Sequence, residues 1–196
     1  MFGIFRMILV GMAAATLAAC GSSKISSFYT LDTDPGLTRT ENATPVYIVV
    51  APVTVPDLVD RPQIVTSAAG GQVQLQEFDR WAQPLKSDIA RVIAGNLGEL
   101  LGTEQATVFD VGADAAPAWR VRVDVMRFDT ALGDSVTIDA IWAVRPPGKV
   151  PAVLGHSVAH EVVRGTDYAE IVAAHDRALG TVSRDIASAI RTNLPK

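Results

Sequence analysis

The apolar positions of this chain fall into two rhythms, one of strands and one of helices, and their order predicts the architecture. Val46-Tyr47-Ile48-Val49-Val50 is a continuous run rich in β-branched side chains, as in a fully buried strand, and Pro52 and Pro56 end it. Ile64-Val65-Thr66 and Val73-Gln74-Leu75 flank Ala68-Ala69-Gly70-Gly71, which predicts a hairpin turned by its glycines. Over residues 81–101, Leu85, Ile89, Val92, Ile93, Leu97, Leu100 and Leu101 form one stripe at helical spacing, with Lys86, Asp88, Arg91 and Glu99 off it. Gly102 follows as a stop.

Alternation then returns. Trp119, Val121, Val123 and Val125 share one face of a strand, as do Val136, Ile138, Ala140, Trp142 and Val144 of the next. Arg145-Pro146-Pro147-Gly148-Lys149 turns the chain into a further strand over 152–164, with Leu154, Val158 and Val162 on one side. A last helix over about 168–193 is predicted by Ile171, Val172, Leu179, Val182, Ile186 and Ile190, with Asp167 and Glu170 at its positive N-terminal end. The order implies an α+β fold: a mainly antiparallel or mixed β-sheet with two long helices packed on one face, forming a single domain over 45–196.

Residues 1–19 follow a different logic. Arg6 and the amino terminus supply positive charge, an apolar run of about eleven residues spans positions 7–17, and the small Ala18 and Ala19 precede Cys20. A helix crossing a bilayer needs about twenty apolar residues, so this run predicts a cleaved export signal. Leu17-Ala18-Ala19-Cys20 resembles the bacterial lipobox, which implies a mature chain beginning at Cys20, with diacylglycerol on its thiol and an acyl chain on its amine. Two or three acyl chains anchor a protein stably where one does not. Cys20 is the only cysteine, so neither an internal disulfide nor a thiol catalyst is available. Gly21 stands where inner-membrane lipoproteins of enterobacterial type carry aspartate. That resemblance implies the periplasmic face of the outer membrane, with the inner membrane left open. Residues 20–44 are rich in Ser, Thr, Asp and Gly and read as the lipidated N-terminus and a flexible tether, with Phe28-Tyr29-Thr30-Leu31 as one short edge strand.

Composition narrows the partners. The formal charge of −4 becomes −5 once Arg6 is removed, with no basic block, which argues against nucleic acid. The chain has no nucleophile elbow, Walker loop or dinucleotide fingerprint. His156 and His160 fall in a predicted strand, where a four-residue spacing is about 13 Å and too long for one metal ion. His175, beside the apolar stripe of the last helix, reads as a half-buried structural residue. The acid pairs Asp57 with Asp60 and Glu77 with Asp79 read as loop caps or solvated groups. The expectation is therefore a protein without catalytic residues, metal or dissociable cofactor.

Two segments carry a family resemblance. Val55-Pro56-Asp57-Leu58-Val59-Asp60-Arg61-Pro62-Gln63-Ile64-Val65 and Glu77-Phe78-Asp79-Arg80-Trp81-Ala82-Gln83-Pro84-Leu85, preceded by the lipobox and by Tyr29-Thr30-Leu31, resemble the auxiliary lipoproteins of ABC-type transport systems, the PqiC/YmbA-like family. Val59 stands where many relatives have leucine. The resemblance implies a periplasmic accessory to a transporter built from an ATPase, a permease and an MCE-domain protein, moving phospholipid or other hydrophobic molecules between the membranes. Asp60, Arg61, Pro62, Gln63, Arg80 and Trp81 are the candidate docking residues for the MCE component, with Pro62 stiffening a charged loop. Arg61 pairing locally with Asp60 or Asp57, and Trp81 stapling the helix to the sheet, are the competing structural readings. An envelope regulator that activates a cell-wall synthase is the alternative function, and assembly with further copies of itself stays open.

Overall fold

The computed structural model describes residues 24–41, 43–109, 117–165 and 167–194. The expected signal segment, Cys20 and Gly21 lie outside the described residues. The elements run β1 (Ser27–Tyr29), β2 (Tyr47–Thr54), β3 (Gln63–Ser67), β4 (Val73–Trp81), α1 (Leu85–Leu101), β5 (Ala106–Thr107), β6 (Ala118–Ala131), β7 (Ser135–Arg145), β8 (Val153–Val162) and α2 (Tyr168–Thr192). They form one mixed sheet of eight strands and two long helices, an α+β fold.

β6 is the spine. Its N-terminal half pairs in parallel with β2, its C-terminal end meets β3 at Ser67–Ala131, and its whole length pairs antiparallel with β7, which carries β8 at the margin. β3 pairs antiparallel with β4 through a turn in which Gly70 and Gly71 take positive φ, and β1 adds to β4 in parallel. The apolar faces predicted for β6 and β7 point inward, and the helical stripes meet them: Leu85, Ile89, Val92, Ile93, Leu97 and Leu101 of α1 are buried with Ile171, Leu179, Val182, Ile186 and Ile190 of α2. Each such side chain contributes about 1.5–3 kcal/mol of burial free energy. Asp167 caps α2 by accepting the N–H of Glu170 at 2.9 Å, and Gly102, at φ 63°, closes α1.

Four expectations change. The first helix begins at Leu85, not residue 81; Trp81 ends β4, because Pro84 disfavours helical backbone in the residue before it. His175 is fully buried, stacked on Phe128 with centroids 4.1 Å apart, and its Nε2 hydrogen-bonds Thr130 Oγ1 at 2.9 Å. Leu154, Val158 and Val162 face outward, because α2 covers the other side of β8, where Ser157 and Ala159 are buried.

The fourth change concerns 20–44, whose described part is folded from Ser27 onward and does not act as a flexible tether. After β1 the chain lies as a strap across the junction of the two helices. Its backbone N–H groups have no strand ladder there, and helix side chains accept them instead: Leu31 N–H donates to Asp88 Oδ2 at 2.9 Å, Asp32 N–H to Asp176 Oδ1 at 2.9 Å and Asp34 N–H to Asn96 Oδ1 at 3.0 Å. Arg91 binds both Asp88 and the Leu31 carbonyl, and Arg184 donates to Asp34 at 2.9 Å. Leu31 is completely buried, and so, beneath the strap, is Asp88, which sequence spacing places off the apolar stripe. Gly95 and Gly180 permit this approach, since a Cβ on either would collide with Thr33 or Asp34.

Gly180→Ala is therefore expected to lower stability by about 1–3 kcal/mol and to open residues 30–37 to protease. Thermal melts and limited proteolysis read both effects.

A pH prediction follows from the same contacts. Burial, with the carboxylates of Asp32, Asp88 and Asp34 adding to it against the Asp32 N–H, pushes Asp176 up to about 7 from 3.8. Between those values the unfolded chain releases this proton while the folded chain keeps it, so the Asp176 contribution to stability falls as pH rises. Asn keeps the acceptor oxygen without the charge. Asp176→Asn is expected to match the parent near pH 4 and to exceed it by about 1–3 kcal/mol at pH 8, which melts across that range measure. His175, pushed down to about 3 by burial, acts oppositely and equally in both proteins, since its stability cost appears as pH falls below 6.5.

Candidate partner-docking site

A turn between β2 and β3 and the corner between β4 and α1 meet at one place. Val59 and Asp60 N–H groups donate to the Pro56 carbonyl at 3.0 and 3.2 Å, which coils the loop, and Arg61 N–H donates to Val59 at 2.8 Å. Pro62 then hands the chain to β3, and its carbonyl accepts the Trp81 N–H at 2.7 Å. At the opposite wall, Ala82 N–H donates to the Tyr29 carbonyl of β1 at 2.7 Å. Pro84, lacking an N–H, precedes the first helical turn, and its carbonyl accepts the N–H groups of Ser87 and Asp88.

These segments enclose an open cavity of about 340 Å³ lined by Asp60, Arg61, Pro62 and the run 81–85. Asp60 faces Lys86 of α1, carboxylate to ammonium at 2.9 Å. Asp60 is thus occupied by a partner the sequence pattern does not indicate. Among the described residues Arg61 makes no ion pair, and its Nε is buried without a hydrogen-bond partner. A buried N–H left unsatisfied costs about 1–3 kcal/mol, a cost the fold carries beside this cavity. The rest of the wall is mostly apolar, from Pro62, Trp81, Ala82, Pro84 and Leu85, with Gln83 and Asp60 adding polar groups.

Of the candidate residues, Asp60, Arg61, Pro62 and Trp81 come together at this cavity. Gln63 and Arg80 do not line it: they oppose one another across β3 and β4, and Arg80 Nε donates to the Glu77 carbonyl at 2.8 Å. Trp81 is a wall and not an exposed anchor, being 5% accessible, with its ring edge-on to Phe128 and His175 at 6.2 Å. Gln83, Pro84, Leu85 and Lys86 belong to the site as well. The run opening the first helix contains the first three, but only the chain's return to the 56–62 loop reveals the role of Lys86.

The histidines on β8 are separate. His156 reaches Asp139 at 2.7 Å and His160 reaches Thr137 at 3.0 Å, each across to β7. Among the described residues no group of three or more His, Cys, Asp or Glu side chains is placed to hold a metal ion, and no helix is long and apolar enough to cross a membrane. Phe128, Trp119 and Trp142 fill the space between sheet and helices, and Trp142 Nε1 donates to the buried Ser157 at 2.9 Å.

The family model for the ABC-type transport auxiliary lipoprotein component matches residues 29–187. The match starts at Tyr29, inside β1, and so includes the strap. No curated protein matches the chain. Among solved structures, the chain is similar to an uncharacterized protein at 19% identity, with a TM-score of 0.68, covering 85% of this chain and 99% of that one. It is also similar to a Xanthomonas campestris protein at 17% identity, with a TM-score of 0.59, covering 83% and 93%. At these identities the likeness concerns the fold.

The two kinds of wall residue are expected to respond differently to substitution. Trp81→Ala removes a core ring and is expected to cost about 3–5 kcal/mol. Lys86→Gln breaks a half-exposed ion pair and is expected to cost no more than about 1 kcal/mol. Denaturant unfolding of both variants checks the contrast.

Proposed function

This chain belongs to the ABC-type transport auxiliary lipoprotein family, and we propose that it is a non-catalytic accessory, anchored through acyl chains on Cys20, that docks the MCE component of an intermembrane lipid transporter at the periplasmic face of the outer membrane. The family membership supports a transporter partner. The feature that carries the docking assignment is the cavity at residues 60–62 and 81–85, where Arg61, which makes no ion pair among the described residues, shares the wall with Pro62, Trp81 and Pro84. That chemistry suits a carboxylate or chain-terminal carbonyl of a protein partner beside a small apolar side chain. A hydrogen bond to a charged group contributes about 1.5–3 kcal/mol. The cavity also adjoins β1, through Ala82 and Tyr29, so a partner bound there is held next to the point where the chain departs toward its anchor.

The test is capture of the MCE-domain protein by the acylated chain from detergent-solubilised envelopes. Arg61→Glu is expected to weaken capture at least about tenfold, equivalent to 1.4 kcal/mol, while Arg145→Glu, at an exposed strand end, leaves it unchanged. Equal retention by both variants would remove the cavity from the interface, and absence of any MCE-domain protein from the parent's complexes would remove the partner.

A further inference from the structure

We infer that the β1–β4 margin of the domain lies against the lipid surface that holds Cys20, with Ile25, Phe28 and Phe78 entering the headgroup region. The inference rests on the lipid-anchored reading above and adds an orientation to it. Seven residue steps separate Cys20 from Ser27, the first residue of β1. At no more than about 3.5 Å per residue, the start of β1 stays within roughly 25 Å of the acylated residue whatever path the chain takes. A folded unit of this size is about 40 Å across, so this margin is the part of the domain held closest to the bilayer.

The margin has the chemistry for that position. Ile25 is 88% accessible, Phe28 64% and Phe78 39%, although each is large and apolar. The ammonium of Lys24 sits 5.1 Å from the centre of the Phe78 ring. Aromatic rings beside basic groups match the membrane–water boundary, where the ring enters the acyl border and the cation meets phosphate. The nearby acids are engaged: Asp79 accepts the Tyr29 hydroxyl at 3.1 Å, and Glu77 pairs with Arg80 at 3.6 Å. Phe28 has no structural task in the sheet, since it is its neighbour Tyr29 that packs inward on Tyr168 with ring centres 5.8 Å apart. Another exposed apolar stripe, Leu154, Val158 and Val162, lies on β8 at the far side of the sheet, five strand spacings or roughly 24 Å away.

The three native tryptophans are all buried, which leaves room for an added reporter. Full-length acylated protein carrying Phe28→Trp, Phe78→Trp or Leu154→Trp is reconstituted on vesicles of phosphatidylethanolamine and phosphatidylglycerol, with and without bromine in the acyl chains. The added emission of Phe28→Trp and Phe78→Trp is expected to shift to the blue and to be lost on brominated vesicles, while that of Leu154→Trp persists. Co-flotation separates the two readings. Protein that fails to float overturns the anchor, and the orientation with it. Protein that floats with Phe28→Trp and Phe78→Trp unquenched, or quenched no more than Leu154→Trp, overturns the orientation alone.

Discussion

Three backbone N–H groups of the strap, those of Leu31, Asp32 and Asp34, depend on side chains that two helices raise between them. An extended segment without a neighbouring strand has no ladder to satisfy its amides, and burying them unpaired is expensive. Asp88 and Asn96 from α1 and Asp176 from α2 meet that need. In doing so they accept a cost of their own, because carboxylates are brought close together away from water. Arg91 and Arg184 offset part of it. The helices are therefore joined through the strap as well as to each other, where Asn96 reaches Ser183 at 3.2 Å.

The strap also leads back to β1 at the margin of the sheet. β1 begins at Ser27, seven residues after Cys20, so covalent geometry limits how far the first strand can lie from that residue. The cavity at residues 60–62 and 81–85 forms where the β2–β3 turn, the end of β4 and the start of α1 converge, and the Ala82–Tyr29 hydrogen bond sets it beside β1. A sheet with helices on one face only leaves its other face to solvent. On β6 that face carries Arg120, Arg122 and Asp124, with Arg122 and Asp124 paired at 3.0 Å. On β8 it carries the Leu154 stripe interleaved with two histidines, and this unpaired margin has only its charged and polar cross-strand contacts to discourage association.

The sequence by itself determined the elements and their apolar faces, because periodicity is a local property: the spacing of Leu85 to Leu101 and the alternation from Trp119 to Val144 each report which side a backbone of fixed geometry buries. The loop 55–65 and the run 77–85 were recognisable from residue order, which is how Asp60, Arg61, Pro62 and Trp81 entered the candidate site. Tertiary structure decided the rest. Asp88 lies off the apolar stripe of its helix, and its burial, like that of Asp176 and Asn96, follows only from the strap that covers them, while a Ser, Thr, Asp and Gly-rich stretch reads as linker unless its amides find acceptors far along the chain. The separation of Arg61 from Asp60, the pairing of Asp60 with Lys86 and the outward turn of Leu154 likewise arise from contacts between distant segments. No local pattern encodes such contacts, because burial and hydrogen-bond satisfaction are settled by what lies across the gap.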